Sequence, residues 1–220
     1  MDALSEKLVR EVCAAPERLA VVVIDMQRDF CSPDGVFGRG GVDISANARI
    51  VPLVASFVDQ MRRHKALIVW VRQLWSDRYI SPAISRRLRR APERRTLCLA
   101  GSPGAELAEG LRVADGDIVV EKYRYSAFHG SSLDQLLRSN GIQTVVLVGT
   151  AANGCVDTTA RDAAQLEYDV VIAADLVGYT DARLAQAALD NLDRHFAFVC
   201  SSADVLAAVG AAAPASGKEA

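Results

Sequence analysis

Cys155 lies in the stretch 145–164, VVLVGTAANGCVDTTARDAA, where an apolar run ends in a glycine, breaks into small residues, presents one thiol and continues with apolar positions at helical spacing. A strand, a tight turn and a helix N-terminus in that succession aim backbone N–H groups beside the turn, and the helix dipole favours negative charge there. A thiol so placed is expected to shift toward its thiolate and to act as a nucleophile. The alternative, a small buried apolar residue, stays open from this stretch alone. A cysteine that attacks a carbonyl also needs a proton acceptor and a cation to hold the charge. Asp25, which closes the apolar run 19–25 (LAVVVID), and Lys122, which follows 117–121 (DIVVE), are of those two types. The carboxylate would take the thiol proton and return it to a leaving amine, while the ammonium fixes the carboxylate and stabilises its neighbours' negative charge. The oxyanion would meet N–H groups of the turn before Cys155, where Ala151, Ala152 and Gly154 are small enough for close approach. Taken singly, a strand-terminal Asp is as often a cap and a Lys after a strand is usually a solvated charge.

The elements that must bring these three together are legible as alternation. Strand segments at 19–25, 66–71, 117–121, 145–148, 170–173 and 197–199 alternate with helical segments at 3–14, 45–64, 133–140, 155–167, 182–195 and 204–209. Uninterrupted β-branched runs suit parallel strands covered on both faces. The pattern predicts an α/β protein with a mostly parallel six-stranded sheet and helices on both faces. Sites in such sheets lie at the carboxyl ends of the strands, so Asp25, Lys122 and Cys155 should meet at one edge. The least regular segment, 72–116, carries Arg86, Arg87, Arg89, Arg90, Arg94 and Arg95 and turn signals at Pro92, Gly101 and Pro103. It reads as an insertion over the active-site edge with one or two short helices. Its arginine run is a solvated face, or a contact for an anion or a subunit. One domain is expected: a helix within 1–18 packed on it, 19–209 as the domain proper, and 210–220 as a flexible tail of low complexity.

The chain has 220 residues, half of them apolar, and a formal net charge of -2. That charge provides no general basic field, so nucleic acid and anionic membrane are excluded as general partners and a small-molecule substrate is favoured. The apolar runs are about strand length, well short of the roughly 20 residues of a membrane span. The N-terminus carries charges where a signal peptide would be apolar, so a cytoplasmic protein is expected. Cys13, Cys31, Cys98, Cys155 and Cys200 make an odd number with no CxxC pair, which indicates neither a disulfide framework nor a zinc site.

These motifs resemble those of the isochorismatase-like cysteine hydrolases. The resemblance is carried by Asp25-Met26-Gln27-Arg28-Asp29-Phe30, by Lys122-Tyr123-Arg124-Tyr125-Ser126-Ala127-Phe128 and by 149–163, and it covers about residues 19–206. It implies a Rossmann-like three-layer α/β/α sandwich, a catalytic triad of Asp25, Lys122 and Cys155, and an oxyanion hole from the N–H groups of Ala151 and Cys155. It also implies a cis peptide between Thr150 and Ala151, homo-oligomers (dimers or tetramers) and no cofactor. Nicotinamidase-like members add a metal site through an Asp-x-His segment after the second strand. Here that segment is Val71-Arg72-Gln73-Leu74-Trp75 with no histidine, so no metal is expected. Isochorismatases proper lack the cysteine. What remains are hydrolases of amides, ureides and carbamoyl compounds: 124–142 looks most like the biuret and ureidoacrylate hydrolases, and Asn153-Gly154-Cys155 like the N-carbamoylsarcosine amidases. The latter hold a substrate carboxylate with an arginine at the position of Thr180, which leaves Arg124 or Arg183 to take over if the substrate is a carboxylate.

Phe30, Trp75, Tyr125 and Phe128 are candidates to line an apolar pocket, each with core packing as the alternative. Gln27, Asn153 and Arg124 are candidates to bind the substrate's polar groups. His129 reads as a loop residue that touches substrate or a neighbouring subunit, and His64 and His195 meet helix C-termini. The expected function is a metal-independent cysteine amidohydrolase that cleaves a C–N bond through a Cys155 thioester and releases ammonia or an amine. The rival readings are a catalytically silent binding or scaffold member and a hydrolase of an ester or peracid.

Overall fold

Strand β1 (Leu19–Ile24) is buried along its whole length, as a run of β-branched residues at the centre of a doubly covered sheet should be. The computed structural model describes residues 2–212. In it β1 is flanked by β2 (Leu67–Gln73) and β4 (Thr144–Gly149), with β3 (Ile118–Lys122), β5 (Asp169–Val177) and β6 (Phe198–Cys200) outward. The sheet has six strands in the order β3-β2-β1-β4-β5-β6, and every pairing is parallel. The chain leaves β1 toward one side and β4 toward the other, so the crevice between their carboxyl ends is the topological switch point at which such sheets bind ligands.

The helices are α1 (Ala3–Val12), α2 (Arg28–Cys31), α3 (Val36–Arg39), α4 (Ser45–Arg63), α5 (Pro82–Leu88), α6 (Leu133–Ser139), α7 (Asp157–Gln165), α8 (Ala182–His195) and α9 (Ser202–Ala212). Two core layers follow from the side-chain alternation of the strands. Leu19, Val21 and Val23 of β1 pack under α1, α4 and α9 through Val9, Ile50, Val54, Phe57, Met61, Val205 and Val209. Ala20, Val22 and Ile24 pack on the other face under α6, α7 and α8 through Leu133, Leu137, Ala160, Ala163, Ala185 and Leu192. This is the three-layer α/β/α sandwich.

The differences from the sequence expectation are local. Leu53 of α4, expected on the apolar face, is 43% exposed. The buried stripe instead begins one turn earlier with Ala46 and Asn47. Helix α9 continues through Gly210–Ala212, so the helix overruns the start of the expected tail; the remainder of that tail, 213–220, lies outside the described residues. The insertion 72–116 holds α5 and 3-10 turns at Asp77–Tyr79, Pro92–Thr96 and Pro103–Ala105. It is joined to the carboxyl edge of the sheet by the bridge Gln27–Leu107 and by the Tyr79 ring stacked on Tyr123 with centroids 3.7 Å apart, and it closes on itself through the bridge Trp75–Leu99. Among the described residues no helix is long and apolar enough to cross a membrane.

Candidate active site

Each of the three chemical side chains is delivered by a strand end. Asp25 follows β1 and continues the ladder by donating its N–H to Val71 O at 2.9 Å. It then turns sharply with φ 53, a left-handed conformation that Asp tolerates better than a branched residue. Lys122 is the last residue of β3, which lies two strands from β1, or roughly 10 Å at the usual strand spacing. Its extended side chain crosses the end of β2 to place Nζ 2.8 Å from Asp25 Oδ2. Cys155 sits in the tight turn Ala152–Val156 between β4 and α7, and its Sγ is 3.3 Å from Lys122 Nζ.

The β4 exit explains why the thiol lies so close to β1. Gly149 has φ +111, and a Cβ there would sit 2.1 Å from the carbonyl oxygen of Ile24. Only glycine allows this close approach of the two central strands in that conformation. The following Thr150–Ala151 peptide is cis. Thr150 donates from Oγ1 to Asn47 Oδ1 at 3.1 Å, and Asn47 donates from Nδ2 to the Phe30 carbonyl at 2.9 Å. Asn47, a polar residue on the apolar stripe of α4, thus pins the loop after β1 to the turn that carries Cys155. Among the described residues the Ala151 N–H donates to no backbone carbonyl.

The site is dry. Lys122 is fully buried, Asp25 is 1% exposed and Cys155 9%. Burial raises the Asp25 pKa above the ordinary carboxylate value, opposed by the Lys122 charge. Burial alone would lower the Lys122 pKa, but the Asp25 carboxylate above all, with Cys155 beside it, holds it above its ordinary value. Burial also pushes the Cys155 thiol up, and the Asp25 charge adds to this while Lys122 opposes it. This corrects the expectation of a thiol shifted toward thiolate by the helix N-terminus: desolvation and a carboxylate neighbour outweigh the dipole, and the resting thiol is protonated. Among the described residues Asp25 Oδ1 is buried and accepts no hydrogen bond. Cys155 and the Gln73 backbone are near enough to lower the Asp25 pKa against its burial.

The residues expected to touch substrate divide. Tyr125, 54% exposed, reaches over the turn, with ring atoms 3.8 Å from the position a Cβ on Gly154 would occupy. Asn153 is exposed on the same turn. Trp75, half-buried, keeps a buried indole N–H with no partner among the described residues. Phe30 packs edge-on to Phe37 with centroids 5.3 Å apart. The Arg124 guanidinium folds back to the Tyr123 carbonyl at 2.6 Å. One expectation is corrected. Gln27 is fully buried and turned to backbone: Nε2 donates to the carbonyls of Gln73 and Ala105 at 2.9 and 2.8 Å, and Oε1 accepts from Gln73 N at 2.8 Å, so no donor is left for a ligand. Phe128 stacks on Tyr168 with centroids 5.8 Å apart and packs against the core layer under α6, α7 and α8.

Gln73 is the site residue that sequence reasoning passed over. It ends β2 between the strands of Asp25 and Lys122, and its Oε1 accepts from Lys122 Nζ at 2.8 Å. A polar residue closing a central strand was the available signal.

The Isochorismatase domain model matches residues 19–204. A ureidoacrylate amidohydrolase, RutB, of Enterobacter sp. (strain 638) is 35% identical over 208 residues, covering 89% of this chain and 90% of that protein. Among solved structures, a cysteine hydrolase from Pseudomonas syringae pv. phaseolicola superposes with TM-score 0.80 at 27% identity, covering 90% of this chain and 94% of the other. An N-carbamoylsarcosine amidase from Thermoplasma acidophilum superposes with TM-score 0.68 at 30% identity, covering 84% and 96%. With the family model spanning the sheet from β1 into α9, and with amidohydrolases of C–N bonds as its relatives, the chain belongs to the isochorismatase-domain family of hydrolases.

Proposed function

We propose that this protein is a metal-independent cysteine amidohydrolase acting on a small amide, ureide or carbamoyl compound. The observation that carries the reading is the buried contact of Lys122 Nζ with both Asp25 Oδ2 and Cys155 Sγ, at 2.8 and 3.3 Å. A protonated thiol beside a carboxylate whose second oxygen is unoccupied is poised for proton transfer. As Sγ bonds to the substrate carbonyl carbon, Asp25 takes the thiol proton and Lys122 holds the sulfur's developing charge. The N–H groups of Ala151 and Cys155 receive the oxyanion. Collapse breaks the C–N bond, with the proton passing from Asp25 to the leaving nitrogen. The thioester is then hydrolysed by water that gives its proton to Asp25, and the thiol is restored.

A ureide or carbamoyl substrate is supported by the ureidoacrylate and N-carbamoylsarcosine relatives and by the Asn153 amide, exposed on the turn that carries Cys155; Trp75 and Arg124 are further proposed to bind its polar groups. The protein is further proposed to work in the cytoplasm as a dimer or tetramer, which light scattering of the purified protein tests for assembly. The decisive experiment is an ammonia-release screen over ureidoacrylate analogues, biuret, carbamoyl amino acids and aryl amides. An acyl adduct on Cys155, trapped and located by mass spectrometry, is the expected result. A Cys155→Ala protein that turns over the same substrate at the wild-type rate overturns the reading.

A further inference from the structure

Lys122 Nζ has three hydrogens and four acceptors within reach: Asp25 Oδ2 and Gln73 Oε1 at 2.8 Å, the Arg124 carbonyl at 3.1 Å and Cys155 Sγ at 3.3 Å. The geometry therefore decides how much of the ammonium reaches the sulfur. Gln73 is the one side chain in that set that cannot ionise, and it is rigid. Its backbone N–H and C=O are both held by the Gln27 amide, at 2.8 and 2.9 Å, and its own Nε2 donates to the Leu74 carbonyl at 3.1 Å. That last bond fixes the amide's orientation, with oxygen toward Lys122 and nitrogen away. Gln27 is locked in turn by the Ala105 carbonyl at 2.8 Å.

We propose that Gln73, clamped by Gln27, is a positioning residue that aims the Lys122 ammonium between Asp25 and Cys155. A neutral acceptor suits the task because it takes one hydrogen and leaves the positive charge uncompensated on that side. A carboxylate at position 73 would divide the ammonium's field between two anions and disfavour a thiolate nearby. The ionisable groups facing this network are Asp25, Lys122 and Cys155, with the Cys31 thiol facing Asp25 and the Cys98 thiol facing Asp25, Asp29, Lys122 and Cys155. The thiols of Cys31 and Cys98 are pushed up by burial and stay neutral at working pH, so a charge change at position 73 is read by the triad. The proposal rests on the cysteine amidohydrolase reading for its rate measurement but not for its titration.

The test uses Gln73→Met, which keeps the length and removes the acceptor, and Gln73→Glu, which keeps the acceptor and adds charge. With an amide substrate, Gln73→Met is expected to lower kcat ten- to a hundredfold with KM within twofold, in a protein that melts cooperatively. Where Gln73→Met does not fold, Gln73→Asn, one methylene short of Lys122, is expected to give the same fall. Independently of any substrate, the midpoint of Cys155 alkylation by iodoacetamide against pH, located by mass spectrometry, is expected to rise about one pH unit in Gln73→Glu. Wild-type kcat in the folded Met or Asn variant, a kcat loss matched by loss of folded protein, or an unmoved alkylation midpoint in Gln73→Glu would overturn the assignment. Absence of turnover with the midpoint shifted as expected would instead count against the proposed activity and leave the role of Gln73 supported.

Discussion

Lys122 Nζ and Asp25 Oδ2 form an ion pair at 2.8 Å in which neither residue is more than 1% exposed. Such a pair is held by geometry, and removing one partner strands the other's charge in a dry site. Lys122→Met is expected to destabilise the fold by about 3–5 kcal/mol and to abolish turnover. The double variant Asp25→Asn/Lys122→Met should recover much of the stability and none of the activity. Urea melts of the three proteins check this; a single variant as stable as wild type sinks it.

Proton transfer to Asp25 predicts the behaviour of the thiol. Because Cys155 rests protonated, its alkylation at neutral pH should be slow and should quicken as pH rises. Asp25→Asn removes the charge that raises the thiol pKa and leaves the Lys122 ammonium to favour the thiolate, so alkylation at neutral pH should quicken while turnover, which needs the carboxylate as base, is lost. An unchanged alkylation rate would mean that the carboxylate does not act on the thiol.

The junction of the central strands predicts a stability effect with no chemistry in it. Gly149→Ala puts a methyl 2.1 Å from the Ile24 carbonyl oxygen at a φ of +111. Backbone strain and overlap together should cost about 3 kcal/mol or more. Yield of soluble protein and the denaturation midpoint are the readouts, and a variant within 1 kcal/mol of wild type, roughly 2–4 °C in Tm for a chain of this size, contradicts the geometry.

Asn47→Ala should cost about 1–3 kcal/mol, because it leaves the Phe30 carbonyl and the Thr150 hydroxyl buried and unpaired. Hydrogen exchange should rise locally at 28–31 and 150–156, the two segments Asn47 joins. Exchange that rises evenly over the whole chain would assign Asn47 to general packing.

Alkaline pH should weaken the fold below pH 12. Burial raises the Cys13, Cys31 and Cys200 thiols from 9.0 to about 12. Above pH 9 the unfolded chain loses thiol protons that the folded chain keeps, so the folded state binds more protons and stability falls as pH rises. The stabilisation is fully present below pH 9 and is lost progressively between 9 and about 12. Thermal melts from pH 7 to 11 should show the decline, and replacing Cys13, Cys31 and Cys200 by Ala should flatten it.

Strand and helix alternation, the carboxyl-edge rule and three short motifs were enough to read the sheet, its two helical layers and the candidate residues Asp25, Lys122 and Cys155, because period and strand-end position are local properties of the chain. Contacts between strands are not local. That Lys122 has four acceptors for three hydrogens, that Gln27 faces backbone and that Phe128 stacks on Tyr168 all depend on which segments lie side by side. The thiol's ionisation depended on tertiary structure most of all. A helix N-terminus, visible in sequence, argues for a thiolate; the desolvation and the Asp25 charge that reverse this exist only once β1, β3 and β4 have closed around the sulfur.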